Sequence, residues 1–115
     1  MPARSQTHSF SVRLARLAEV DQLPAIEISA AQSFRSVPAL DWIAATDAMS
    51  PAVHRKSVQA GTCWVAVDVQ DVPVGFLTAH LQGETLHILE MSVASDWQGK
   101  GIGRALIQAV KYWSI

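Results

Sequence analysis

Hydrophobic positions change their spacing twice along this chain. Val20, Leu23, Ile26, Ala30 and Phe34 recur at three- and four-residue intervals, which predicts an amphipathic helix capped by Asp21, with Pro24 in its first turn. Ahead of it, residues 11–14 read as a short strand. Residues 35–49, containing Val37-Pro38 and Trp42-Ile43, fit a loop or a short helix. Ser50 then offers a cap, Pro51 suits a first helical position and Gly61 follows the last turn, so a second helix is predicted between them. After Gly61 the period shortens. Residues 62–69, 74–81 and 85–93 are three runs rich in β-branched and apolar side chains, broken by Asp71-Val72-Pro73 and by Gln82-Gly83-Glu84. Runs joined by such short turns predict an antiparallel meander. From Gly103 the helical spacing returns, with Ile102, Leu106, Ala109, Val110 and Trp113 facing inward and Arg104, Gln108 and Lys111 outward. The expected fold class is mixed α/β: a meander sheet with flanking helices.

Composition narrows the field. With 115 residues the chain has room for one core and not for two. Half the residues are hydrophobic and 17% are charged, the balance of a folding chain. Lys plus Arg number 9 and Asp plus Glu 10, a net charge of -1, which argues against nucleic acid or a membrane surface as partner. Cys63 is the single cysteine, so no intrachain disulfide forms and no zinc knuckle is expected. The first nine residues are polar, carry no apolar signal core and are expected to be disordered, leaving residues 10–115 as one domain. No uncharged apolar run approaches the ~18–20 residues of a membrane span. A soluble, cytoplasmic domain is the expectation.

One segment carries specific chemistry. Gln98-Gly99-Lys100-Gly101-Ile102-Gly103-Arg104 lies between the third meander strand and the last helix. Alternating glycines let the backbone approach a ligand without a Cβ in the way. A helix starting immediately afterwards aims its unpaired N–H groups and its positive dipole end at the same turn. Phosphate or pyrophosphate suits such a place; a tight strand-to-helix turn with no ligand is the other reading. Two familiar phosphate motifs are excluded. The chain ends before the βαβ unit and acidic residue of a dinucleotide fold, and it has no Walker sequence.

Leu89-Glu90-Met91-Ser92-Val93 followed by Gln98-x-x-Gly101-x-Gly103 resembles the acetyl-CoA signature of the GNAT acetyltransferases, whose core pattern is Gln/Arg-x-x-Gly-x-Gly/Ala. Val12-Arg13-Leu14 leading to Asp21-Gln22-Leu23-Pro24-Ala25-Ile26 is similar to the family's first strand and helix. Residues 61–67 and Pro73-Val74-Gly75-Phe76 are similar to its next two strands. The resemblance implies a GNAT-like sheet. It also implies that backbone amides of Gln98, Gly99, Lys100, Gly101, Ile102, Gly103 and Arg104 hold the pyrophosphate of coenzyme A. Met91, Ser92 and Val93 would pair, strand-like, with the pantetheine arm. One of those amides would face the thioester oxygen as negative charge develops on it. The implied activity is transfer of an acetyl group from acetyl-CoA to a primary amine, on a small molecule or a peptide, without a metal. The resemblance runs out at Lys111-Tyr112-Trp113-Ser114-Ile115, where family members usually continue into further strands that complete the cofactor cleft and often supply a tyrosine acid. Tyr112 is on the wrong element for that role. A truncated, non-catalytic coenzyme A-binding or assembly module is therefore the alternative.

An alkylammonium, with pKa about 10.4, must lose a proton before it attacks a thioester. His87 is six residues before Val93, where several family members place a Glu or His base, and regular pairing would put it in phase with Leu89, Met91 and Val93. Its imidazole titrates near working pH; the competing reading is a strand histidine bonded to a neighbouring carbonyl. Glu90 is the second candidate, opposite His87 on a regular strand unless a bulge changes its phase. Its competing role is to tie strand to helix. His80 is expected at the surface and His54, beside Arg55 and Lys56, in solvent. Cys63, Trp42 and Trp64 are expected in the core. Without a partner beyond it, the strand at residues 85–89 would expose an open apolar edge, and the last helix would lack cover, so a homodimer is expected.

Overall fold

In the computed structural model, which describes residues 9–32 and 51–113, four antiparallel strands lie side by side in chain order. They are β1 (Ser11–Leu14), β2 (Cys63–Val67), β3 (Pro73–Gln82) and β4 (Thr85–Val93). A 3₁₀ helix (Leu17–Gln22) runs straight into α1 (Leu23–Ala31); α2 is Pro51–Gln59 and α3 is Ile102–Trp113. The mixed α/β class and the meander are as expected.

Strand alternation sorts the core onto two faces. Cys63, Val65, Val67 and Phe76 point to one side and meet Leu23 and Ile26 of α1. Trp64, Ala66, Leu77 and Ala79 point to the other and meet Ile102 and Leu106 of α3. The sheet is thus the middle of three layers. Gly75 marks a close approach of α3: a Cβ there would lie 3.1 Å from Ile102 Cγ2 and 3.3 Å from the Ser92 carbonyl. An isolated glycine within a strand pattern is the sequence sign of such an approach.

The β3–β4 ladder is interrupted once. Thr78 pairs with Glu90, but Ala79 pairs with Ile88, so Leu89 is an extra residue on β4. A one-residue bulge reverses the phase of everything beyond it. His87, opposite His80, therefore shares the α1/α2 face with Glu90 and Ser92, while Met91 and Val93 stay on the α3 face. The regular phase expected for His87 is overturned.

Other expectations need correction. Asp21 is not an N-cap, because the chain enters α1 from an already helical 3₁₀ turn and Gln22, at φ -86° and ψ -19°, stands at the cap position. Glu19 does the capping earlier, accepting a hydrogen bond from the Arg16 amide at 2.9 Å. Trp113 is 40% exposed and adds little to the inner face of α3. His54 is fully buried. Trp64 and Cys63 are in the core and His80 is exposed, as expected. Residues 1–8, Phe34, residues 35–49 with Trp42, and the Ser50 cap lie outside the described residues.

Candidate active site

The glycine turn is positioned from three directions. At the end of β4, the Ala94 amide bonds to the Val74 carbonyl at 2.9 Å, which carries the ladder one step past the strand. A second 3₁₀ turn, Ser95–Trp97, follows, and the Trp97 ring packs against the α3-side core. Gln98 then reaches back: its Nε2 donates to the Val93 carbonyl at 3.0 Å, and its amide to the Ser95 carbonyl at 3.4 Å. The side-chain NH2 and the backbone N–H of Gln98 are thus both engaged with the protein, which makes it a brace for the turn.

Beyond the brace the backbone turns left-handed twice, at Gly99 (φ +78°) and Gly101 (φ +87°). A Cβ at Gly101 would meet nothing within 4 Å, so glycine is required there by conformation and not by crowding. The first bond closing α3 runs from the Ala105 amide to the Gly101 carbonyl, 3.1 Å. Amides ahead of it have no intrahelical acceptor and point out of the helix start. Lys100 and Arg104 are exposed beside them, and among the described residues no carboxylate pairs with either. Met91 adjoins the turn, since a Cβ on Gly103 would lie 3.5 Å from its Cε. The structure therefore brings the turn and Met91, Ser92 and Val93 together, at the end of a strand that is the edge of the described sheet.

On the other sheet face, Ser92 Oγ donates to Glu90 Oε2 at 2.6 Å, and both residues are largely shielded. His87 is exposed. Three residues at about 3.3 Å each separate it from Glu90, so it stands roughly 10 Å farther from the turn. Of the two candidates, Glu90 is the nearer to the strand end.

Behind Glu90 lies a network that the sequence reading missed. His54 Nδ1 is 2.8 Å from Thr78 Oγ1, His54 Nε2 is 2.7 Å from Glu27 Oε1, and the ring stands edge-on to Phe76 at 5.0 Å. Thr78 also lies 3.5 Å from the Cys63 thiol, whose pKa is pushed up by burial. The thiol is thereby kept protonated and poorly nucleophilic. Among the described residues no cluster of three or more His, Cys, Asp or Glu could hold a metal ion, and no helix is long and apolar enough to cross a membrane.

A profile of the acetyltransferase (GNAT) family matches residues 24–115. The chain belongs to this family. Solved structures agree in fold. The PaiA N-acetyltransferase of Thermoplasma acidophilum, in complex with coenzyme A, superposes with a TM-score of 0.71 at 13% identity, over 92% of this chain and 72% of that one. Rv2747 of Mycobacterium tuberculosis, in complex with CoA and NLQ, gives 0.67 at 20% identity, over 90% and 57%. Apo YjaB of Escherichia coli gives 0.60 at 25% identity, over 91% and 66%. The GNAT chain described here thus spans between 57% and 72% of the length of these three.

Proposed function

We propose that this GNAT chain uses acetyl-CoA to acetylate a primary amine. One observation carries the reading: a braced, left-handed glycine turn heads α3 directly beside the open end of edge strand β4. Amides of residues 99–104 would hold the pyrophosphate, helped by the charges of Lys100 and Arg104. Gln98 keeps that turn in place. Met91, Ser92 and Val93 would align the pantetheine arm along the strand edge.

Acetyl-CoA would supply the acyl group as a thioester. The chain's own part is to take a proton from the attacking ammonium; we assign that to Glu90, one of whose oxygens accepts a hydrogen bond from Ser92. The amine nitrogen forms the new bond to the acyl carbon, the carbon–sulfur bond breaks, and the leaving thiolate takes up, through solvent, the second proton that the nitrogen sheds as it becomes an amide. His87 is the second candidate for base. The edge of β4 at residues 85–89, away from Met91, Ser92 and Val93, is the surface on which we place a second copy in a homodimer.

A coenzyme A-binding module without turnover is the second reading. Turnover of acetyl-CoA with a panel of amines separates the two.

Coenzyme A binding tests the common core of both. Coenzyme A should raise the thermal unfolding midpoint of the parent and leave that of Gly101→Val unmoved. Gly61→Val is the control: Gly61 has a comparable φ of +75° but stands in the α2–β2 turn, so it carries similar strain away from the site. Coenzyme A should still stabilise it. If Gly101→Val binds as the parent does, the turn is structural only.

A further inference from the structure

α1 is anchored on both flanks. Leu23 and Ile26 are buried and form the stripe that faces the sheet. At about 100° per residue, Glu27 stands to one side of that stripe and Ser29 to the other. Glu27 is tied through His54 to Thr78, and hence to α2 and β3. Ser29 is tied to the start of the glycine turn: its Oγ accepts a hydrogen bond from the Ser95 amide at 3.0 Å and lies 3.3 Å from Ser95 Oγ.

The second bond fills a gap in the local sequence. Ser95 is the first residue of the 3₁₀ turn, and its amide has no acceptor within that turn. A side chain at the cap position, held by Ala94, would serve the second or third amide of the turn and not this first one. Ser29 supplies the missing acceptor from another element, 66 residues away. The capped turn ends at Trp97, and the next residue is Gln98, whose brace to Val93 sets the direction of the glycines.

We propose that Ser29 is a positioning residue for the coenzyme A turn, an inference that rests on the reading above. It holds the 3₁₀ turn in register so that the amides of residues 99–104 meet the pyrophosphate already aimed. It touches neither coenzyme nor acceptor. Removing it frees the turn to move and lowers affinity by roughly the worth of one hydrogen bond, about 3- to 10-fold.

Calorimetric titration of coenzyme A into the parent, Ser29→Ala, Ser29→Thr and Glu27→Gln tests this, with urea unfolding of each. Ser29→Ala should bind about 3- to 10-fold more weakly with little change in unfolding midpoint, since alanine suits a helix. Ser29→Thr, which keeps the hydroxyl, should restore affinity. Glu27→Gln should alter stability more than affinity. Parent-like binding by Ser29→Ala overturns the proposal, as does an equal affinity loss in Glu27→Gln, which would mean general loosening of α1. If the parent takes up no coenzyme A, the coenzyme reading itself falls and this proposal with it.

Discussion

Glu90 and His87 illustrate how much one residue's setting decides. Both are titratable, both are on β4, and the bulge at Leu89 turns both to the same face. Only Glu90 is shielded, bonded to Ser92 and close to the strand end. Under the proposed reaction, Glu90→Gln should lower kcat by 10²–10⁴-fold while leaving coenzyme A affinity within about twofold, because a base acts in the transition state. His87→Gln should change neither. A full-rate Glu90→Gln with a crippled His87→Gln would exchange their roles. His54 makes the complementary point. A histidine beside Arg and Lys is buried because each ring nitrogen has a partner, and a buried polar group so satisfied costs little.

At the level of elements, α2 and β4 depart most from simple amphipathic logic. The buried residues of α2 are polar, His54 and Ser57, with Val58 packed against the core beside them, and Ser57 Oγ donates to the Ala79 carbonyl at 2.8 Å. That carbonyl also accepts from Thr62 Oγ1 at 2.8 Å, so the helix is held beside the bulge by hydroxyls. β4 has the opposite character: Ile88, Leu89 and Met91 are each at least 40% exposed on an edge strand. Residues 85–89 contain no Lys or Pro to blunt that edge. Light scattering over a dilution series should show a dimer at micromolar concentration. Replacing Ile88 with Lys should shift it to monomer. A monomeric parent with protected amides at residues 85–89 would remove the dimer from the proposal.

For the molecule as a whole, an ionic clamp joins β1, the 3₁₀ helix and the β2–β3 turn. Arg13 pairs with the buried carboxylate of Glu19 and with Asp71 at 3.1 Å, and Arg16 reaches Asp71 at 2.9 Å. The hydrogen bond from Arg13 holds Glu19 below the ordinary glutamate value of 4.5, with burial opposing. A carboxylate depressed on folding stabilises the fold fully above its unfolded pKa. That stability is lost as pH falls through the folded one. Urea unfolding should therefore show stability declining from about pH 4.5 downward. Arg13→Gln should cost about 1–3 kcal/mol at neutral pH, by leaving a buried carboxylate without its charged donor, and should flatten that acid limb. An acid limb unchanged by Arg13→Gln would show that Glu19 does not set it.

The meander, the helix stop at Gly61 and the glycine turn were all legible in residue order, because each rests on bonds and dihedral preferences within a few residues. Family membership followed from the same local pattern, since Gln98-x-x-Gly101-x-Gly103 needs only a strand before it and a helix after. The phase of His87 was not legible. It depends on a bulge in the pairing with β3, which residues 85–93 alone do not reveal. Nor was the burial of His54, whose partners Thr78 and Glu27 are 24 and 27 residues away. The trans cap from Ser29 spans 66 residues. Local spacing could settle which segments become strands, helices and turns. Which polar side chains are worth burying was settled only when distant segments met, because a polar group becomes cheap to bury only once its hydrogen-bond partner stands opposite it.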